Sequence, residues 1–110
     1  MPDLPTAKDV SHMLASLAQS DEKYARLTAA VKALEHKAKV IRSTAYLAAS
    51  GTIAEREAVA LSSFAYRTFV EDLENTVADR EILAAQRKRA ELTIDVWRSL
   101  NSARSKGQIV

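Results

Sequence analysis

The chain has no cysteine, only two glycines and two prolines in 110 residues, and 5% aromatic content. The missing cysteine excludes disulfides and thiol chemistry and fits a reducing compartment. Strands draw on aromatic and β-branched residues, and their connections draw on turn formers. This scarcity, beside abundant Ala and Leu, therefore points to helices throughout. No run of the sequence approaches the ~18 apolar residues of a membrane span. The opening Met1-Pro-Asp-Leu-Pro5 lacks the basic segment and apolar run of a secretory leader. A soluble, cytoplasmic protein is expected.

Groups suited to catalysis are equally sparse. His12 and His36 stand alone, with no second histidine, carboxylate or cysteine at metal-ligand spacing. No Gly-x-Ser-x-Gly and no glycine-rich phosphate loop occurs. Glu71, Asp72, Glu74, Asp79 and Glu81 read as a solvated helix face rather than paired catalytic carboxylates. No enzymatic activity, metal or cofactor is expected.

What the chain does have is apolar periodicity. Pro2 and Pro5 hold the first residues out of a helix. Thr6, with Asp9 three residues on, resembles a capping box opening a short helix at about 7–18, with Val10, Leu14 and Leu17 on one face. The polar Gln19-Ser20-Asp21-Glu22 reads as a break, after which Ser20 caps a long helix at about 21–50. Along that helix Tyr24, Leu27, Val31, Leu34, Ala38, Ile41, Ala45 and Ala48 keep a three-four spacing, the mark of a coiled-coil seam. Gly51 stops it, and Thr52 with Glu55 caps a short helix at about 53–61 whose apolar side is Ile53, Val59, Ala60 and Leu61. A break at Ser62-Ser63 precedes a long helix at about 64–105.

On this last helix Phe69, Val70, Leu73, Val77, Leu83, Ala84, Ala90, Ile94 and Trp97 can face the earlier helix. A second stripe, Ala85, Leu92, Val96, Leu100 and Ala103, lies a quarter turn or more away. Either the short N-terminal helix covers that stripe or a second copy does. Gly107 ends the helix, and the Gln108-Ile109-Val110 tail frays or docks. The expected fold is all-α: a single domain forming an elongated antiparallel, coiled-coil-like helical hairpin, with a short N-terminal helix and a short helix at the reversal. A chain this small buries little surface, so assembly into a ring or other homo-oligomer is expected, with Leu92, Val96, Trp97 and Leu100 at the interface.

The net charge of +2 hides an uneven distribution. Residues 1–31 carry three basic and four acidic side chains, 32–50 four and one, 51–86 three and seven, and 87–110 six and two. An antiparallel hairpin accounts for part of this pattern by setting Asp21 and Glu22 near Arg87–Arg89, Lys32 near Asp79 and Glu81, and Arg42 near Glu71 and Asp72. Such exposed pairs mark register and contribute only ~0–1 kcal/mol each. Arg98, Arg104 and Lys106 stay uncompensated, as do Lys37 and Lys39 if they point outward. Cations spaced along helices can track a phosphate backbone, and Tyr46 and Trp97 offer rings either for base stacking or for packing. Trp97 continues the Ala90–Ile94 line and suits packing.

The run Lys39-Val-Ile-Arg42-Ser-Thr-Ala-Tyr46-Leu-Ala-Ala-Ser50-Gly51-Thr, followed by Ala54-Glu-Arg-Glu-Ala-Val-Ala60 and later by Ala103-Arg-Ser-Lys-Gly107, resembles small phage-encoded helical recombination accessory proteins of the UvsY mediator family. The likeness covers roughly residues 32–109. It implies a helical protein that assembles into rings and binds single-stranded DNA without sequence preference. It further implies partnership with a RecA-like recombinase or a single-strand-binding protein, in the cytoplasm of a bacterial host. Lys39 and Arg42 would be DNA contacts, and the segment from Arg104 to Gly107 would lie near the assembly or DNA surface. With Lys37, Lys39, Arg42, Arg98, Arg104 and Lys106 as nucleic-acid contacts, the expected function is non-enzymatic single-stranded DNA binding in phage recombination or replication. The rival expectation is a structural or adaptor coiled coil that binds another protein and no nucleic acid.

Overall fold

The computed structural model describes residues 4–107, and three α-helices make up nearly all of them: α1 (Ala7–Ala48), α2 (Ile53–Ser62) and α3 (Phe64–Ser105). No strand occurs among the described residues, and no helix is long and apolar enough to cross a membrane. Pro2 and the Gln108-Ile109-Val110 tail lie outside the described residues. Packing divides the chain into two units, one built from residues up to Tyr24 and from Glu81 onward, the other from Ala25–Arg80.

The chain's punctuation works as its residue types dictate. Thr6 and Asp9 form a reciprocal box: the Thr6 backbone N–H donates to Asp9 Oδ2 at 2.9 Å, and the Asp9 N–H donates to Thr6 Oγ1 at 3.2 Å. At the corner Gly51 takes φ 109°, left-handed space that a side chain rarely enters. Thr52 then caps α2 by accepting the Glu55 N–H at 3.2 Å. Ser63 adopts extended backbone between helices (φ −62°, ψ 141°). Its hydroxyl donates to Ala60 O at 2.9 Å and accepts the Tyr66 N–H at 3.3 Å, so one serine closes α2 and opens α3.

The break expected at residues 19–22 does not form; α1 runs unbroken from Ala7 to Ala48. Ser20 turns its hydroxyl back onto Leu17 O at 3.2 Å instead of capping a new helix. The side chains with reduced exposure show why. Val10, Met13, Leu17, Ser20, Tyr24, Leu27, Val31, Leu34, Ala38, Ile41 and Ala45 are all buried or half-buried, in uninterrupted three-four spacing. The seam therefore begins two heptads earlier than the apolar residues suggest, passing through Met13 and polar Ser20 and leaving Leu14 exposed. It ends through half-buried Ala49, one residue past the expected Ala48, which is exposed.

On α3 every residue expected to face the earlier helix, from Phe69 to Trp97, is half-buried or buried. The strict seven-residue line here is Tyr66, Phe69, Leu73, Thr76, Arg80, Leu83, Arg87, Ala90, Ile94, Trp97 and Asn101, with Val70, Val77 and Ala84 flanking it. Two arginines thus occupy seam positions. The side chains buried outright are small or medium: Val10, Ala90 and Ile94 in the first unit, and Val31, Ala38 and Ala60 in the second. On α2 only Ala60 is buried; Ile53, Val59 and Leu61, expected on its apolar side, are exposed. A helix of ten residues with one buried alanine covers little.

In the first unit Arg87 joins α3 to α1. Nη1 donates to Leu17 O at 2.9 Å and to Ser20 Oγ at 2.7 Å, Nη2 donates to Asp21 Oδ1 at 2.6 Å, and the guanidinium lies 5.4 Å from the Tyr24 ring centroid. The expected approach of Asp21 to the Arg87–Arg89 block is realised at Arg87. Because the Arg87 side chain is 20% exposed and that of Asp21 is 65% exposed, the bonds to Leu17 and Ser20 should outweigh the ion pair. Urea denaturation of Arg87→Ala should show a loss of about 1.5–3 kcal/mol, against about 0–1 kcal/mol for Asp21→Ala. Equal losses would mean that the exposed ion pair, not the two inner bonds, holds the arginine.

At the start of α1 the Thr6 backbone N–H, then the Thr6 hydroxyl, hold the Asp9 carboxyl below its ordinary 3.8, with His12 and Lys8 adding smaller pulls. A folded value below the unfolded one makes the cap fully stabilising above the unfolded value, and the stabilisation is lost as pH falls through the folded one. Thr6→Ala removes the hydroxyl and keeps the backbone N–H, so it should raise the Asp9 titration seen by NMR only part of the way toward that of a free aspartate. An unmoved titration would show that the Thr6 hydroxyl adds nothing to what the backbone N–H does.

Candidate nucleic-acid interface

The second unit contains a groove of about 490 Å³ lined by Lys39, Arg42, Ser43, Tyr46 and Leu47 of α1 and by Glu57 of α2. Helical spacing builds its long wall. Seam residues Ala38, Ile41 and Ala45 fix one side of α1, and Lys39, Arg42 and Tyr46 follow each of them by one residue, so they form the adjacent row. Two cations one turn apart, a hydroxyl and an aromatic ring therefore share one face. Glu57 is the single carboxylate in the lining.

The ring is held from outside the groove. Arg56, which is not a lining residue, places its guanidinium 4.6 Å from the Tyr46 ring centroid and donates Nε–H to Tyr46 O at 3.2 Å. The same carbonyl accepts the Ala49 N–H at 3.3 Å. The last turn of α1 has no basic residue of its own, so Arg56 supplies from α2 the cation that a helix C-terminus favours. Sequence reading missed this role. A signal for it exists: Arg56 lies in the opening turns of α2, where its charge opposes the local helix dipole and a contact elsewhere has to compensate.

The remaining candidate contacts do not join this groove. Lys37 is exposed on α1 but does not line it. Arg98, Arg104 and Lys106 are exposed in the first unit, and at 100° per residue Arg98 and Arg104 point about 120° apart, so they do not form one track. Arg104 sits in the last turn of α3, where it suits the negative end of the dipole. Gly107, at φ 74°, closes that end by donating its N–H to Arg104 O at 3.0 Å. Arg87 is engaged with α1 and does not add to a phosphate-binding surface.

Of the residues expected at an oligomer interface, Leu92 and Val96 are exposed, whereas Leu100 and Trp97 are half-buried. The N-terminal part of α1 meets α3 at Arg87, and α3 buries Ala90 and Ile94 on that seam while Leu92 and Val96 stay uncovered. A second groove of the Ala25–Arg80 unit, about 440 Å³, is lined by Leu61, Tyr66, Arg67, Val70, Glu71 and Glu74. Its two carboxylates disfavour phosphate. His12 and His36 are both exposed, and among the described residues no three His, Cys, Asp or Glu side chains gather as a metal-binding group. Hydroxyls of Thr44, Thr68, Thr76 and Thr93 donate to the carbonyl four residues back in their own helices, a local role.

Comparison of the chain with protein-family models, curated proteins and solved structures finds no match.

Proposed function

We propose that the protein is a non-enzymatic, single-stranded DNA-binding accessory of phage recombination or replication that works as a homo-oligomer. The observation that supports this reading is the groove beside Tyr46, where Lys39 and Arg42 stand one turn apart next to an aromatic ring. Phosphate neutralisation by paired cations supplies sequence-independent affinity, and few contacts per copy suffice when several copies act on one strand. In the assembled form the long helices pair as an antiparallel, coiled-coil-like hairpin, and copies gather into a ring through Leu92, Val96 and Leu100. A RecA-like recombinase or a single-strand-binding protein is the proposed protein partner.

An adaptor role, with a protein partner and no nucleic acid, draws on a different observation. Near the corner Leu47, Ile53 and Phe64 are 73%, 69% and 79% exposed, a large apolar display for so small a unit. Fluorescence anisotropy with a labelled single strand at several salt concentrations separates the two. The DNA-binding protein should bind tightly at low salt and release as salt rises. Lys39→Gln with Arg42→Gln should lower the slope of log affinity against log salt by about 1.4, at about 0.7 per contact on single strands. Lys37→Gln should change it less. Binding that is absent at low salt leaves the adaptor.

Assembly has its own measurement. Light scattering of the wild-type chain should give a mass several times that of one copy, and Leu92→Glu with Val96→Glu should reduce it to a monomer while circular dichroism stays helical. A wild-type monomer across the micromolar range would remove the ring.

A further inference from the structure

Tyr46 stands out because its ring is braced on one side and lines a groove on another. Arg56 covers one face, with the guanidinium 4.6 Å from the centroid, and is tied in place by its Nε–H bond to the Tyr46 carbonyl. Tyr46 lines the groove and Arg56 does not, so the guanidinium that covers the ring does not fill the groove. The ring is half-buried, and the reversal at Gly51 and Thr52 brings α2 back to hold it. A tyrosine fixed by a cation behind it loses little freedom when a flat group stacks in front. The groove, about 490 Å³, is large enough for a flat heterocycle.

We infer that Tyr46 is a base-stacking platform and Arg56 its positioning residue. A nucleobase of a single strand lies on the groove side of the ring, while Lys39 and Arg42, seven and four residues before it, take the flanking phosphates. Trp97 has no such part: it is half-buried on the α3 seam, in line with Ala90 and Ile94. The inference rests on the nucleic-acid reading above but demands more of it, since phosphate binding alone does not require a base.

The test uses the full chain and three probes of equal length: oligothymidylate, the same backbone with abasic sites, and poly-glutamate. Wild-type protein should bind oligothymidylate about tenfold more tightly than the abasic strand at the same salt. Tyr46→Phe should keep that ratio, and Tyr46→Leu should bring it close to one while leaving abasic binding unchanged. Arg56→Lys keeps the charge but loses the planar stack, and should shrink the ratio without changing the salt slope. Equal affinity of the wild type for the first two strands overturns the stacking inference and leaves phosphate binding intact. Poly-glutamate bound as tightly as oligothymidylate would identify an acidic-peptide groove and overturn it as well. Failure of both strands to bind at low salt removes the function itself. Equal wild-type affinities overturn the inference even if a variant does not fold, and Tyr46→Phe against Tyr46→Leu assigns a preference to this ring.

Discussion

Each long helix buries one narrow line of side chains that repeats every seven residues, and the side chains buried along it are small or medium: Ala38, Val31 and Val10 on α1, Ala90 and Ile94 on α3. Burial at ~25 cal/mol per Å² of apolar surface gives such a line little to draw on. Directional contacts therefore set what the apolar residues leave open. Arg87 is the clearest case. It occupies a seam position where a leucine would ordinarily stand, and its three bonds and its contact with Tyr24 fix which turn of α1 lies opposite it. A one-turn slip would cost all of them together.

The same economy divides the cations into two groups. Arg87 and Arg56 are engaged within the fold, the first between α3 and α1, the second capping α1 from α2. Lys39 and Arg42 lie one row off the α1 seam and line the groove. Formal charge along the chain treats all four alike, but only the second pair faces the groove. Charge as register signal describes Arg87 with Asp21, and charge as phosphate contact is the role proposed for Lys39 and Arg42.

Much of the helical plan was legible because its signals are local. A threonine three residues ahead of Glu55, a glycine at φ 109° and a serine with bonds to both of its neighbouring helices act through atoms a few residues apart. The failures share one cause. Gln19-Ser20-Asp21-Glu22 looks like a boundary when each residue is judged by its own preference, yet Ser20 lies on the seam and Arg87, distant in sequence, occupies its hydroxyl. Met13 and Ala49 are covered while Leu14 and Ala48 stay exposed, because the partner helix, not hydropathy, selects between two adjacent apolar residues. In the groove, Lys39, Arg42 and Tyr46 could be read as a set, but not Arg56, whose role needs the corner to have formed.

The sequence by itself determined that the chain is helical, where α2 and α3 begin, and which side of α3 is covered. Those outcomes follow from capping atoms and a seven-residue repeat that any segment carries with it. Only the tertiary structure decided that α1 is one helix, that Ala60 is the one buried residue of α2, and that Arg56 rather than a residue of α1 closes the end of α1 beside Tyr46. Each of these depends on a partner brought from elsewhere in the chain. A polar side chain whose bond is supplied across a packed contact no longer has to behave as its local preference dictates.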